Sequence, residues 1–290
     1  MIKNFTLSIL ALCSWSVLTF GQSTNWDSNI KSSQAFIENK GQFDGRNWNQ
    51  FEDIQFAYSQ NPFYVFFSPN GLTYRLDKIV RNPKRDKSNP DSPKRTNISE
   101  MVHVTFLGSN SDVEILHEGT LDNYYSYAVK DFATQKVTNI ANVNGFEKII
   151  YKNLYNLIDV EYIIHPQGGI KYSIILHPGA DPSQVKMAYS SSKTNVANEK
   201  VEFELNEGKL EISTSLGDII EHEPQTFYGV SQIEIQSSYK FENGVLSFEL
   251  DNYDNTQEVV IDPWINSPTF ATSTAVWEVE TDGAGNVYTI

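Results

Sequence analysis

An all-β fold, built of one or two antiparallel β-sandwich subdomains, is what this chain predicts, and three observations carry the prediction. Apolar residues recur at every second position in short runs, and Pro, Gly and Asn-Gly turn signals interrupt those runs again and again. Beyond the first 21 residues no window long enough for a helix shows a 3.6-residue period with caps. About sixteen short strands of this kind favour sandwiches over one barrel.

The first residues, MIKNFTLSILALCSWSVLTFGQS, set Lys3 before an apolar run from Phe5 to Phe20, with small residues Thr19 and Gly21 ahead of Gln22. This is the pattern of a secretory signal peptide spanning 1–21. The run is shorter than the ~20 residues of a membrane span. Leu12 is not the small residue that a lipid anchor on Cys13 would require. Cys13 is the only cysteine, so the mature chain has no disulfide and must rely on its core. Loss of Lys3 takes the formal net charge from −14 to −15, which argues against a nucleic-acid partner and for solubility outside the cell. No second apolar run approaches membrane-spanning length, so no transmembrane segment is expected after signal removal. The expected address is exported, extracellular or at the outer-membrane surface, with the periplasm crossed in transit.

Residues 22–34 are polar and read as a flexible leader. Ala35 to Gln42 reads as a short edge segment that turns at Lys40-Gly41, and Ile54 to Tyr58 as a strand. In FYVFFSPNGLTYRLDKIV a Pro69-Asn70-Gly71 loop sets Phe66 against Tyr74 and Tyr64 against Leu76. Arg81 to Arg95 carries three prolines and six basic residues with no periodicity, a solvated loop or else a basic finger for an acidic glycan or partner surface. Strands follow at Met101 to Leu107, Val113 to His117, Tyr124 to Val129 and Phe146 to Tyr151.

The closest geometric reading concerns 151–185. Ile158, Val160, Tyr162 and Ile164 alternate with polar positions, as do Ile170, Tyr172, Ile174 and Leu176 after a Pro166-Gln167-Gly168 loop. If His165 closes on Gly169, Ile164 faces Ile170, Tyr162 faces Tyr172, Val160 faces Ile174 and Ile158 faces Leu176. A one-residue slip would bury Lys171 and Glu161. Gly168 is expected at positive φ. His177 to Pro182 is a loop, because two prolines and a glycine admit neither ladder nor helix. Further hairpins turn at Glu207-Gly208, matching Leu205 with Leu210 and Phe203 with Ile212, and at Asn243-Gly244, matching Phe241 with Leu246 and Tyr239 with Phe248. Glu258 to Ile261 is a last strand before Asp262-Pro263-Trp264. The unpatterned stretch from Ser190 to Glu199 suggests a joint between a first subdomain, 35–190, and a second, 191–268. From 269 onward an alternating run, a turn at Asp282 to Asn286 and a returning strand at Val287 to Ile290 suggest that a further module begins.

Several of these stretches together resemble a known family. Phe36 to Gln42 (FIENKGQ), Tyr151 to Tyr162 (YKNLYNLIDVEY), Ile170-Lys171-Tyr172 with Pro178 to Pro182 (PGADP), and Val260-Ile261-Asp262-Pro263 are similar to the N-terminal β-rich domain that precedes SBBP seven-bladed β-propeller repeats. The tail VWEVETDGAGNVYTI resembles the opening strands of one such repeat, making 269–290 the start of a truncated repeat. The resemblance implies a cell-surface or secreted protein of gliding-type Gram-negative bacteria associated with type IX secretion, with no catalytic residue to carry over. Where that family commonly has a glycine before the Ile-Asp pair, this chain has Leu157.

Asp159 and Glu161 share a strand face about 7 Å apart, near the carboxyl separations of glycoside hydrolysis, but alternation alone places acids on a solvent face. His165 and His177 fall at opposite ends of the two strands and cannot share a metal in that register. No nucleophile elbow surrounds any serine, and Asp282 to Asn286 lacks the ligand spacing of a calcium loop. The 32 Tyr and Phe residues could supply sugar-stacking platforms, though core packing explains most of them. No catalytic, cofactor-binding or metal residue is therefore assigned, and no cofactor is expected. The expectation is a non-enzymatic exported structural or interaction module, whose partners are the propeller and further modules of the same protein, with surface glycans or other surface proteins as further candidates. Its rival is a carbohydrate-binding or glycan-cleaving module.

Overall fold

A computed structural model describes residues 34–44, 53–60, 62–81, 94–130, 134, 136–166, 169–194, 200–266, 279–281 and 287–289. The strands are β1 (Phe36–Glu38), β2 (Phe56–Gln60), β3 (Phe63–Ser68), β4 (Gly71–Arg81), β5 (Arg95–Phe106), β6 (Glu114–Lys130), β7 (Val137–Tyr155), β8 (Ile158–Ile164), β9 (Ile170–Leu176) and β10 (Met187–Thr194). They continue with β11 (Glu202–Asn206), β12 (Lys209–Ser213), β13 (Ile219–Glu221), β14 (Gln225–Tyr228), β15 (Glu234–Ile235), β16 (Ser237–Glu242), β17 (Val245–Leu250), β18 (Val259–Asp262) and β19 (Trp264–Asn266). One 3-10 turn, Pro182–Gln184, is capped by Asp181. Val279–Thr281 and Val287–Thr289 pair separately as β20 and β21, and the turn expected between them lies outside the described residues.

Every ladder is antiparallel. Pairing runs β16–β17–β10–β5–β4–β3–β2–β1–β7–β8–β9, and from β9 it continues through β18 to β14 and β15 and through β19 to β13, β12 and β11. The sheet curls nearly into a barrel. The core is therefore filled from both arms of the ladder. Tyr151, Tyr162 and Tyr172 of β7, β8 and β9 line up with ring centroids 5.8 and 5.6 Å apart, and Phe67 and Phe106 of β3 and β5 meet them at 5.2 and 5.4 Å. Each such aromatic pair adds about 0.5–1.5 kcal/mol beyond its area burial.

The register expected for β8 and β9 is observed, from Ile158 opposite Leu176 to Ile164 opposite Ile170, with His165 N–H bonded to the Gly169 carbonyl. Gly168 lies outside the described residues; Gly169 is left-handed at φ 84. The hairpins at Glu207-Gly208 and Asn243-Gly244 also pair as expected, and all four turn residues have positive φ, as a two-residue hairpin turn demands.

Other expectations are corrected. β3 and β4 join through two residues, Pro69-Asn70, so Val65 faces Tyr74 and Phe63 faces Leu76, while Phe66 faces Thr73. That register gathers Phe63, Val65, Phe67, Leu72, Tyr74 and Leu76 in the main core and sends Phe66 to a smaller cluster with Ile54 and Ala57. β1 is no edge, since it pairs with both β2 and β7. The strands expected at Val113 to His117 and Tyr124 to Val129 are one long strand, β6, bent where Gly119 turns left-handed and the register with β7 shifts. Arg81 and Arg95, the ends of the expected basic loop, face each other across β4 and β5; 82–93 lie outside the described residues. Ser190 to Thr194, expected at a joint, belong to β10 and pair with β5; 195–199 lie outside the described residues.

Candidate functional site

Polar side chains converge where β7 turns into β8. The β7 ladder breaks between Tyr151 and Tyr155, and there Asn153 is left-handed at φ 49, which aims its N–H at the next strand. Asp159 Oδ1 accepts that N–H at 2.7 Å, and its Oδ2 accepts from Lys152 Nζ at 2.5 Å and from His177 Nε2 at 2.8 Å. His177 enters from the loop after β9, where Gly179 at φ 87 lets the Ala180 N–H close on the His177 carbonyl. Its other nitrogen stands 3.4 Å from Glu258. Burial alone would raise the Asp159 pKa, but the Lys152, Asn153 and His177 hydrogen bonds outweigh it and hold the carboxyl below its ordinary value.

The sequence placed Asp159 on a solvent face; it is instead 4% exposed, because the Asn153 bulge and the His177 loop cover it. Glu161 shares that strand face but bonds elsewhere, 3.3 Å from Lys148, which also reaches Glu118 at 3.1 Å. The two acids thus serve separate lysines. Beside this network, Asn110, Ser111, Asp112, Glu114, Lys152 and Asn153 line an open cleft of about 390 Å³, all polar.

The remaining stretches singled out by resemblance are similarly engaged. Asn39 donates to the Ile54 carbonyl at 2.7 Å while its Oδ1 accepts from Gly41 N at 3.0 Å and Phe43 N at 3.3 Å. Gln42 donates to the Glu38 carbonyl, and Glu38 accepts from Lys40 and from the Asn144 backbone, both at 2.7 Å. Asp262 takes Lys171 Nζ at 2.5 Å and Ser173 Oγ at 2.8 Å. Leu157 is left-handed at φ 61, the conformation that glycine adopts without penalty.

His165 and His177 are kept apart: His165 stacks on Trp264 at 4.2 Å, where His222 also stacks at 4.5 Å. Among the described residues no three His, Cys, Asp or Glu are grouped to hold a metal, and no helix is long and apolar enough to cross a membrane.

Two buried constellations escaped the sequence reading. His103 of β5 has its ring nitrogens 2.9 Å from Thr73 Oγ1 and 2.7 Å from Ser192 Oγ, and burial lowers its pKa. Glu221 of β13 accepts from the hydroxyls of Tyr172 and, at 2.6 Å, Tyr189. The alternation Ile219-Ile220-Glu221 carried a signal for it, since the glutamate shares the inward phase of Ile219.

The fold and this site define a class: an all-β domain whose motif side chains are knitted into its own turns and ladders. The chain belongs to the family described as Domain of unknown function (DUF7948), whose model matches residues 36–264. No curated protein and no solved structure matches it.

Proposed function

We propose that this chain is a non-enzymatic, exported structural and interaction module, standing in front of propeller repeats in a larger cell-surface or secreted protein of the type IX secretion type. The observation that carries this reading is the internal use of the motif side chains. Both oxygens of Asp159 and of Asp262 are taken by the chain's own donors, and Glu38, Asn39, Lys40 and Gln42 bond among themselves and to the backbone. Groups so engaged fix a scaffold and are poorly free to turn over a substrate. The resemblance of residues 35–264 to the domain preceding SBBP repeats supplies the placement and the surface address.

The cleft of Asn110, Asp112, Glu114 and Lys152 favours a second reading, a carbohydrate-binding or glycan-cleaving module, because amides and carboxylates are suited to sugar hydroxyls. Glycan-array binding and polysaccharide depolymerisation by wild type and by the Asp112→Asn/Glu114→Gln variant separate the two. The scaffold reading expects no saturable binding or cleavage by either protein. Binding or cleavage that the double variant abolishes while staying folded would replace it with the glycan reading.

A further inference from the structure

Glu221 lies deep in the core, 1% exposed, with its backbone paired to Leu210 of β12 on one side and to Ile265 of β19 on the other. The titratable side chains that face it are all tyrosines: Tyr74 of β4, Tyr162 of β8, Tyr172 of β9, Tyr189 of β10 and Tyr239 of β16. Among the described residues no lysine, arginine or histidine pairs with its carboxyl, so an ionised Glu221 would be a buried charge without a counter-ion.

The hydrogen inventory points the same way. Tyr172 donates its proton to Oε1 and Tyr189 donates its proton to Oε2. Tyr239, the third hydroxyl on this side of the core, donates its proton to the His222 carbonyl at 2.8 Å and so brings none to Glu221. Two neutral hydroxyl donors with no cation leave an ionised carboxylate poorly compensated in the core, whereas a neutral carboxylic acid carries no charge to compensate.

We infer that Glu221 is a neutral carboxylic acid in the folded protein and acts as a proton-dependent clasp that joins β9, β10 and β13 at the centre of the core. Burial raises its folded pKa above the unfolded value, so the stabilisation is complete below the unfolded carboxyl pKa and is lost as pH rises through the folded one. The domain thus folds with uptake of a proton, and alkalinity loosens it from within. This goes beyond the scaffold reading and stands independently of it.

The test is difference infrared spectroscopy of the whole chain at neutral pH, wild type minus Glu221→Gln, with denaturant midpoints of both proteins followed from neutral to alkaline pH. The expected results are a protonated-carboxyl C=O band present only in wild type, and a wild-type midpoint that falls with pH relative to the variant. Absence of the band at neutral pH overturns the protonation; parallel midpoint curves overturn the clasp. Should Glu221→Gln fail to fold, the wild-type spectrum decides alone, since a buried acid band that bleaches as pH rises and the protein loosens supports the proposal, and its absence overturns it.

Discussion

Asp159→Ala and Glu161→Ala make a paired perturbation two residues apart on one strand face, and they should behave differently. Removing the Asp159 carboxylate leaves the Asn153 N–H without its 2.7 Å acceptor and releases Lys152 and His177. An orphaned buried backbone donor costs about 1–3 kcal/mol, and because Asn153 is exposed at the cleft its loss falls at the low end of that range. The Lys152 contribution is discounted because that side chain is 46% exposed, which places its loss in the range of about 0–1 kcal/mol. The expected destabilisation is therefore about 1–2 kcal/mol for Asp159→Ala. Glu161→Ala removes only one arm of the Lys148 pair, and Lys148 keeps Glu118, so its expected cost is about 0.5 kcal/mol or less. Because the folded pKa of Asp159 is depressed, its contribution is present above the unfolded pKa and disappears as pH falls through the folded one; the gap between the variants should close in acid. Urea denaturation at neutral and acidic pH measures both. Equal, small losses for the two variants at neutral pH would refute the buried hub.

Four further outcomes are expected. Gly145→Ala should cost about 1–3 kcal/mol in denaturant unfolding, because a Cβ there would come within 2.8 Å of both Ala35 and Tyr125 where β1 crosses β7. Gly244→Ala should lose about 1–2 kcal/mol, since φ 79 is left-handed; an unchanged midpoint would count against the Asn243-Gly244 turn. Wild type should lose stability as pH falls below the ordinary histidine range of about 6.5, because burial depresses the folded pKa of His103, and His103→Gln should flatten that part of the pH–stability curve. Protein recovered from the medium should begin at Gln22, and Edman sequencing that returned Met1 would reject the signal peptide.

The β8–β9 register was legible because one face is apolar and the other carries Lys171 and Glu161, so a slip has a visible cost. In Phe63 to Phe67 both faces are aromatic or aliphatic, alternation cannot choose between them, and the length of the Pro69 turn decided the register instead. Alternation assigned Asp159 to the correct face but could not say what covers it, since that depends on a left-handed Asn153 and on a loop that returns from residue 177. The union of the two expected strands into β6 was hidden because the left-handed Gly119 and the register shift after Thr120 interrupt the alternation between them. Glu221 was readable in phase with Ile219; its partners were not, because Tyr172 and Tyr189 come together only through long-range pairing.

The proposed role as a structural module at the front of a larger surface protein is tested most directly by deleting residues 34–266 from the full-length gene product and measuring, by protease accessibility on intact cells, how much of the remaining protein reaches the surface. A structural module at the front of a surface protein predicts that the remaining protein is made but lost from the surface. Normal surface exposure of the deletion protein would contradict it.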